Sequence, residues 1–393
     1  MDIGSFAVTA IPRILFGEGR FAGVPEVAAS YGRQALVVTG SRWLQSSPNW
    51  PVLTEGLREA GVSWEAMTVE GEPSPELVDG AVSSCRRRGI DVVLAVGGGS
   101  VIDAAKAIAA LLPTGASVMD HLETVGRGVP YNGPPTPCVA VPTTAGTGAE
   151  ATRNAVLSSR GPGGFKRSFR HDLLVPKVAV VDPALTHGSP PELTAAAGMD
   201  ALTQLIESYV STGAGPFTDA LALSGIAAVK DGLFAAYQGG RGEPSGRAAM
   251  SYAALLSGIT LTHAGLGVVH GLASPLGAFF PIPHGIACAA LLAAAARVNI
   301  ETLRRSDPAG RALDKYSTVG AVISGVCPSD RQQGCDLLIR TLSEWTERLH
   351  TPGLAPYGVE ERDFAAIASG CSAKTNPVEL TQEQLAAILR GSL

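Results

Sequence analysis

Charge and aromatic side chains are scarce in this chain: of 393 residues, 17% are charged and 5% aromatic. No basic excess exists. The 30 Lys and Arg are outnumbered by 35 Asp and Glu, giving a formal net charge of -5, so a phosphate backbone meets no broad positive field and nucleic acid is not an expected partner. Closely paired cysteines are missing too. Cys85, Cys138, Cys288, Cys327, Cys335 and Cys371 contain no CxxC spacing, which speaks against a disulfide framework or a cysteine-only metal site and suits reduced thiols with ordinary packing roles. The uncharged apolar run Ile286 to Ala296 falls short of the roughly 20 residues that cross a bilayer. The N-terminus carries acidic Asp2 and lacks the basic start and apolar stretch of a secretion signal. The expectation is a cytoplasmic protein with no membrane partner.

The hydrophobic share is 46%, that of a globular protein, and the length exceeds the roughly 250–300 residues at which single cores stop growing. Two domains are expected. Up to residue 185, short β-branched runs (Ala35–Thr39, Asp91–Val96, Cys138–Pro142, Lys177–Asp182) alternate with helical spacing, as in 53–59 and 74–88. That is the pattern of buried parallel strands in a doubly wound sheet, whose ligands bind at strand C-termini. From residue 186 to 393 almost everything reads as helix broken by Gly and Pro, with a capping box at Thr381 and Gln384. The fold class is therefore an α/β N-terminal domain of residues 1–185 with an all-α domain of residues 186–393. The Pro/Gly-rich stretch 126–137 reads as a connecting loop.

One turn carries chemistry. The apolar run ending in Gly97-Gly98-Gly99-Ser100 passes into a helix, an arrangement in which bare backbone N–H groups and the helix N-terminus bind an anion such as a pyrophosphate. The spacing is not the GxGxxG fingerprint. A second polar turn, Pro142-Thr143-Thr144-Ala145-Gly146-Thr147-Gly148, also follows an apolar run and is expected in the same crevice. Gly17-Glu18-Gly19 lacks a preceding buried run and reads as a structural hairpin.

Together GGGSxxDxxK, PTTxGTGxE and the later GMDALTxxIE resemble the signature segments of the iron-containing alcohol dehydrogenase family, within the dehydroquinate synthase-like and glycerol dehydrogenase superfamily. The resemblance spans the chain in the family's order. It implies a dinucleotide-binding N-terminal domain in which Gly97, Gly98, Gly99, Ser100, Asp103, Thr143, Thr144 and Thr147 line the cofactor, with Lys166 and Leu185 beside it. In Val37-Val38-Thr39-Gly40-Ser41-Arg42, Gly40 stands where NAD-preferring relatives usually carry an Asp for the ribose hydroxyl. With no carboxylate to repel a 2′-phosphate, and Ser41 and Arg42 to hold one, NADP(H) is expected over NAD(H).

In the helical half, Asp200 and Gln204 share one helical face, and His270 and His284 flank a Pro-rich stretch. By the resemblance, Asp200, His270 and His284 hold Fe²⁺ or Zn²⁺ and leave room for a substrate oxygen. Two departures stand out. Gln204 occupies a position where iron-binding relatives have His, so it is either a weak ligand or a sign of altered metal binding. Ser274 replaces the second His of an HxxxH motif tied to proton transfer, which leaves His263 as the alternative in sequence.

The implied activity is hydride transfer between a nicotinamide cofactor and a small aldehyde or alcohol by a homodimer, with Asp200, His270, His284, Ser274 and His263 as the catalytic candidates. From Ser251 to Ala296 there is no Lys or Arg, which favours an uncharged substrate, although Arg153, Lys166, Arg167 and Arg170 leave an acidic aldehyde open. Two rivals remain. One is a cyclising lyase of the dehydroquinate synthase type, and the other is a metal-free, non-catalytic descendant.

Overall fold

The computed structural model describes residues 6–40, 44–160, 164–239 and 244–393. It divides into two compact units, Thr9–His187 and Gly188–Leu393, the second joined by residues 6–8.

The first unit contains β1 (Arg13–Phe16), β2 (Gln34–Gly40), β3 (Ser63–Val69), β4 (Val92–Gly97), β5 (Cys138–Pro142), β6 (Asn154–Ser159), β7 (Phe165–Arg170) and β8 (Val178–Val181). Six of these form a parallel sheet in the order β1-β8-β5-β4-β2-β3, and β6 pairs with β7 in a separate antiparallel ribbon. The continuous apolar runs of β2, β4, β5 and β8 follow from burial on both faces. On one face, Leu36, Val38, Val93, Ala95 and Ala140 pack under α3 (Pro75–Cys85) and α4 (Gly99–Leu111). On the other, Val37, Leu94, Val96, Val139 and Val180 meet α1 (Val24–Ala29) and α2 (Asn49–Glu59). From β2 the chain moves outward to β3, then returns across β2 to build β4, β5 and β8 on the other side. The order thus reverses between β2 and β4, and the C-terminal ends of those strands, Gly40 and Gly97, border the place where open α/β sheets bind ligands.

Two readings need correction. The Gly17–Gly19 turn is not a hairpin, because the strand before it, β1, pairs in parallel with β8 and the turn leads into a short 3₁₀ helix at Arg20–Gly23. As an edge strand, β1 is at most half-buried and lacks the continuous apolar signal of its neighbours. β3, Ser-Trp-Glu-Ala-Met-Thr-Val, escaped notice for the same reason.

The second unit is helical: α5 (Pro191–Val210), α6 (Pro216–Gln238), α7 (Arg247–Ala264), α8 (Val268–Phe279), α9 (His284–Ser306), α10 (Arg311–Ser324), α11 (Arg331–Arg348), α12 (Phe364–Ser369) and α13 (Gln382–Arg390). α5 is buried along nearly its whole length among α6, α7 and α9. The capping box at α13 forms as read, with Thr381 Oγ1 accepting from the Gln384 amide and Gln384 Oε1 accepting from the Thr381 amide. By length and composition alone, α6 and α9 are apolar enough to cross a membrane. The run Ile286 to Ala296 is only the first half of α9, which continues through Arg297 and Glu301 and packs against α5, α8, α11 and α13.

Candidate metal centre and nucleotide turn

Three helices bring four ligand-type side chains together. Asp200 lies on buried α5, His270 in the first turn of α8, and His284 and Cys288 one turn apart at the start of α9. Their ligand atoms all lie within 4.8 Å of one another. Local sequence explains the convergence. Pro283 starts α9 immediately before His284, and Gly285 allows that helix to press on α5, since a Cβ there would stand 2.6 Å from the Ala196 carbonyl oxygen.

Asp200 Oδ1 lies 3.4 Å from His270 Nε2 and 3.7 Å from His284 Nε2. It is buried and makes no hydrogen bond of normal geometry. Burial opposes ionisation of Asp200, yet the neighbouring His284 and His270 prevail and hold its carboxyl down at about 2. A buried, ionised carboxylate oxygen faced by two imidazole nitrogens fits a divalent cation, which would supply the partner that Oδ1 lacks.

Glu207, two turns beyond Asp200 on α5, fixes the imidazole. Its Oε2 lies 2.7 Å from His270 Nδ1, and its Oε1 accepts from the Val269 amide at 2.6 Å. With Nδ1 donating to Glu207, a ring whose other proton is displaced by a bound cation would present the Nε2 lone pair to that cation. Burial works against a charged His270 ring, but Cys288, Asp200 and Glu207 together raise its pKa well above the usual imidazole range. Next to it, burial pushes the Cys288 thiol up to about 12. The approach from solvent lies on the His284 side, whose side chain is 28% exposed against 2% for Asp200.

Other candidates of this half sit differently. Gln204 is buried one turn from Asp200, with its Oε1 accepting from Ser257 Oγ at 2.7 Å. Ser274 Oγ donates to the His270 carbonyl, one turn back on α8. His263 lies on α7, its Nδ1 2.7 Å from the Ile259 carbonyl and its ring edge-on to Phe217.

In the first unit, Gly97, Gly98 and Gly99 link β4 to α4, and close packing explains why they are glycines. A Cβ on Gly97 would meet Val101 at 2.6 Å, and one on Gly99 would meet Thr147 Oγ1 at 2.7 Å. Gly98 stands beside Thr144, and the Thr143 amide donates to the Gly97 carbonyl, so the two polar turns lie together as their sequence positions suggest. Ser100 opens α4. Asp103 turns inward, accepting from the Val156 amide and pairing with Lys106 at 3.0 Å. Lys106, fully buried, also donates to Ala149 O and Thr152 Oγ1 and so ties α4 to the threonine turn. Lys166 is paired with Glu72, which also accepts from Ser158 Oγ. Leu185 belongs to the core under α1 and α2. Gly40 ends β2 at the strand-order reversal, while Ser41 and Arg42 lie outside the described residues.

Sequence reasoning assigned no site role to Cys288, Glu207 or Lys106. The i,i+4 spacing of His284 and Cys288 was a usable signal, because residues so spaced share a helical face. Glu207 closes the GMDALTxxIE segment, again on the Asp200 face.

Residues 12–183 match the iron-containing alcohol dehydrogenase family, and residues 194–393 match the Fe-containing alcohol dehydrogenase family, C-terminal. The chain is 34% identical to alcohol dehydrogenase 4 of Saccharomyces cerevisiae, across 85% of this chain and 84% of that protein. It is 31% identical to the NADPH-dependent butanol dehydrogenase of Clostridium saccharobutylicum, across 95% of each. Among solved structures, a 1,3-propanediol oxidoreductase superposes with a TM-score of 0.90 at 30% identity, covering 99% of this chain and 100% of that one.

Proposed function

The chain belongs to the iron-containing alcohol dehydrogenase family and is an NAD(P)-dependent alcohol dehydrogenase, and from that premise we propose that it works as an NADPH-dependent reductase of small, uncharged aldehydes. The observation that carries the catalytic part is the convergence of Asp200 Oδ1, His270 Nε2 and His284 Nε2 on one buried point. When bound there, a divalent cation supplies a Lewis acid for the carbonyl or alcohol oxygen. The protein's own contribution is to keep Asp200 ionised, to lock the His270 tautomer through Glu207, and to leave the His284 side open to substrate. Ser274 already donates to a carbonyl and cannot hold a proton at neutral pH, so it does not by itself supply the proton taken up on aldehyde reduction.

The preference for NADPH rests on Gly40, which puts no carboxylate at the end of β2 where a ribose would be held. The similar butanol dehydrogenase of Clostridium saccharobutylicum is named as NADPH-dependent, which supports this reading. The uncharged substrate rests on the missing cations. Ser251 to Ala296, which includes His270 and His284, has no Lys or Arg. In the first unit, three of the four candidate cations are paired, Arg153 with Asp172, Arg170 with Glu123 and Lys166 with Glu72, while Arg167 donates to the Lys166 carbonyl.

Steady-state assays of a panel of short aliphatic aldehydes with NADPH and with NADH test the proposal. One NADPH consumed per aldehyde reduced, with a higher kcat/KM for NADPH, is the expected result. Equal or better use of NADH removes the cofactor assignment, and an absence of net NADPH consumption favours the cyclising-lyase or non-catalytic reading.

A further inference from the structure

We propose that Cys288 is the fourth protein ligand of the metal, replacing the amide at Gln204, and that the resulting Asp-His-His-Cys set selects Zn²⁺ over Fe²⁺. The proposal deepens the metal-dependent reading above and rests on it.

Geometry is the first argument. A tetrahedral zinc with bonds of about 2.0–2.1 Å to N or O and about 2.3 Å to S has N···O edges of about 3.4 Å and S···N edges of about 3.6 Å. Here His270 Nε2 and His284 Nε2 stand 3.4 and 3.7 Å from Asp200 Oδ1. Cys288 Sγ stands 3.7 Å from His270 Nε2 and 3.8 Å from His284 Nε2. Four of the six edges are thus already close to those of one coordination tetrahedron, and all four atoms lie within 4.8 Å of one another. The buried Asp200 Oδ1, without a normal hydrogen bond, faces the same centre.

Charge is the second. Among the direct ligands, Asp200 and two neutral imidazoles carry one negative charge, since Glu207 acts only through the far side of the His270 ring, and this leaves the ion with residual positive charge at the ligand atoms in a site whose carboxylate is 2% exposed. A thiolate completes neutralisation, and a buried ion pair without residual charge is far less costly to desolvate. On coordination the thiol releases its proton to solvent and its sulfur lone pair forms the new bond. Gln204 offers no charge, and its only ligating atom, Oε1, already accepts from Ser257 Oγ at 2.7 Å.

Ligand type is the third. Thiolate sulfur favours Zn²⁺, whereas an all-oxygen and nitrogen set with an open position suits Fe²⁺. Zinc also expands to five ligands, which keeps a place for substrate on the exposed His284 side.

The test is metal-edge X-ray absorption on zinc-loaded full-length protein, with cobalt substitution as a second probe. The expected result is one sulfur at about 2.3 Å from zinc, and a thiolate-to-cobalt charge-transfer band present in the wild type and in Cys327→Ser, at an exposed cysteine, but lost in Cys288→Ser. Zinc affinity should fall by at least about 10–100-fold in Cys288→Ser, the loss that follows removal of a mere partner behind a ligand. It should return in Cys288→Ser/Gln204→His without the band, and with Fe²⁺ competing better. One metal per chain with no sulfur scatterer and no charge-transfer band overturns the role of Cys288 while leaving the metal centre intact. No stoichiometric uptake of Zn²⁺, Co²⁺ or Fe²⁺ by the wild type overturns both. The X-ray absorption result needs no variant, so misfolding of Cys288→Ser does not spare the proposal.

Discussion

Glu207 and His270 are joined at 2.7 Å through Oε2 and Nδ1, and the other oxygen of the same carboxylate holds the amide of Val269 at 2.6 Å. One side chain on α5 thereby fixes both the ring and the backbone of the first turn of α8. Glu207→Gln keeps the shape but replaces one acceptor by an NH₂ group, so one of the two bonds is lost. Metal affinity should drop about 10–100-fold, as for other partners behind a ligating histidine. Competition against a chromophoric chelator measures it, and an unchanged affinity contradicts the role given to Glu207.

His270→Ala and His284→Ala remove a ligand each. Turnover should fall roughly 10³-fold or more, since several kcal/mol of oxygen polarisation is lost. NADPH binding, followed by quenching or calorimetry, should stay near the wild-type value because the nucleotide turns lie in the other unit. Wild-type kcat in both variants would take the cluster out of the reaction.

The glycine turn makes the opposite prediction. Gly99→Ala places a methyl 2.7 Å from Thr147 Oγ1 and 2.8 Å from its Cγ2, so the two polar turns must separate. Nucleotide affinity should weaken, with a stability loss of about 1–3 kcal/mol typical of overpacking. Metal stoichiometry should not change. A variant with normal nucleotide affinity shows that this turn is not the phosphate site.

Gly40 has room for a side chain, since a Cβ there meets only Val101 Cγ2 at the ordinary distance of 3.6 Å. Gly40→Asp installs the carboxylate that β2 lacks. The kcat/KM for NADPH should fall about tenfold or more, the effect of one like-charge contact of about 1–2 kcal/mol, with NADH use kept or improved. A parallel loss with both cofactors argues against a ribose contact at this position.

Glu150 supplies a pH signature in the first unit. It is 2% exposed, and burial pushes its carboxyl up to about 7 although Lys106 opposes the shift. An unfolded glutamate titrates near about 4.3, so the fold favours the protonated acid. Stability from this group is complete below about pH 4, declines between about pH 4 and 7, and is absent above that range. Glu150→Gln mimics the protonated form. Its Tm should exceed that of the wild type at pH 8, and the gap should narrow at pH 5. A pH-independent difference contradicts the assignment.

What was legible in the sequence divides along physical lines. Val37, Leu94 and Val139 lie on strands buried on both faces, and continuous apolar runs announce such strands. β1 and β3 occupy the sheet edges, where half-exposed residues dilute the signal. Asp200, His270 and His284 were picked from residue type and family spacing, and the structure places their ligand atoms together. Cys288 has one local signal, its i,i+4 spacing from His284, but a single cysteine in an alanine-rich run reads as readily as a packing residue. The meeting of α5, α8 and α9 is what sets it beside Asp200 and His270, and that long-range contact leaves no local trace. Lys106 went unassigned for a similar reason, since its partners Ala149 and Thr152 lie over forty residues away in the chain.

Turnover depends on a working cation held by the Asp200 cluster. Chelator-stripped protein, verified by atomic absorption, is titrated with Zn²⁺ or Fe²⁺ while NADPH oxidation by a short aldehyde is followed. The predicted result is negligible activity at the start, rising linearly to a plateau at one metal per chain. Full activity in the stripped protein, unchanged on adding either metal, contradicts it.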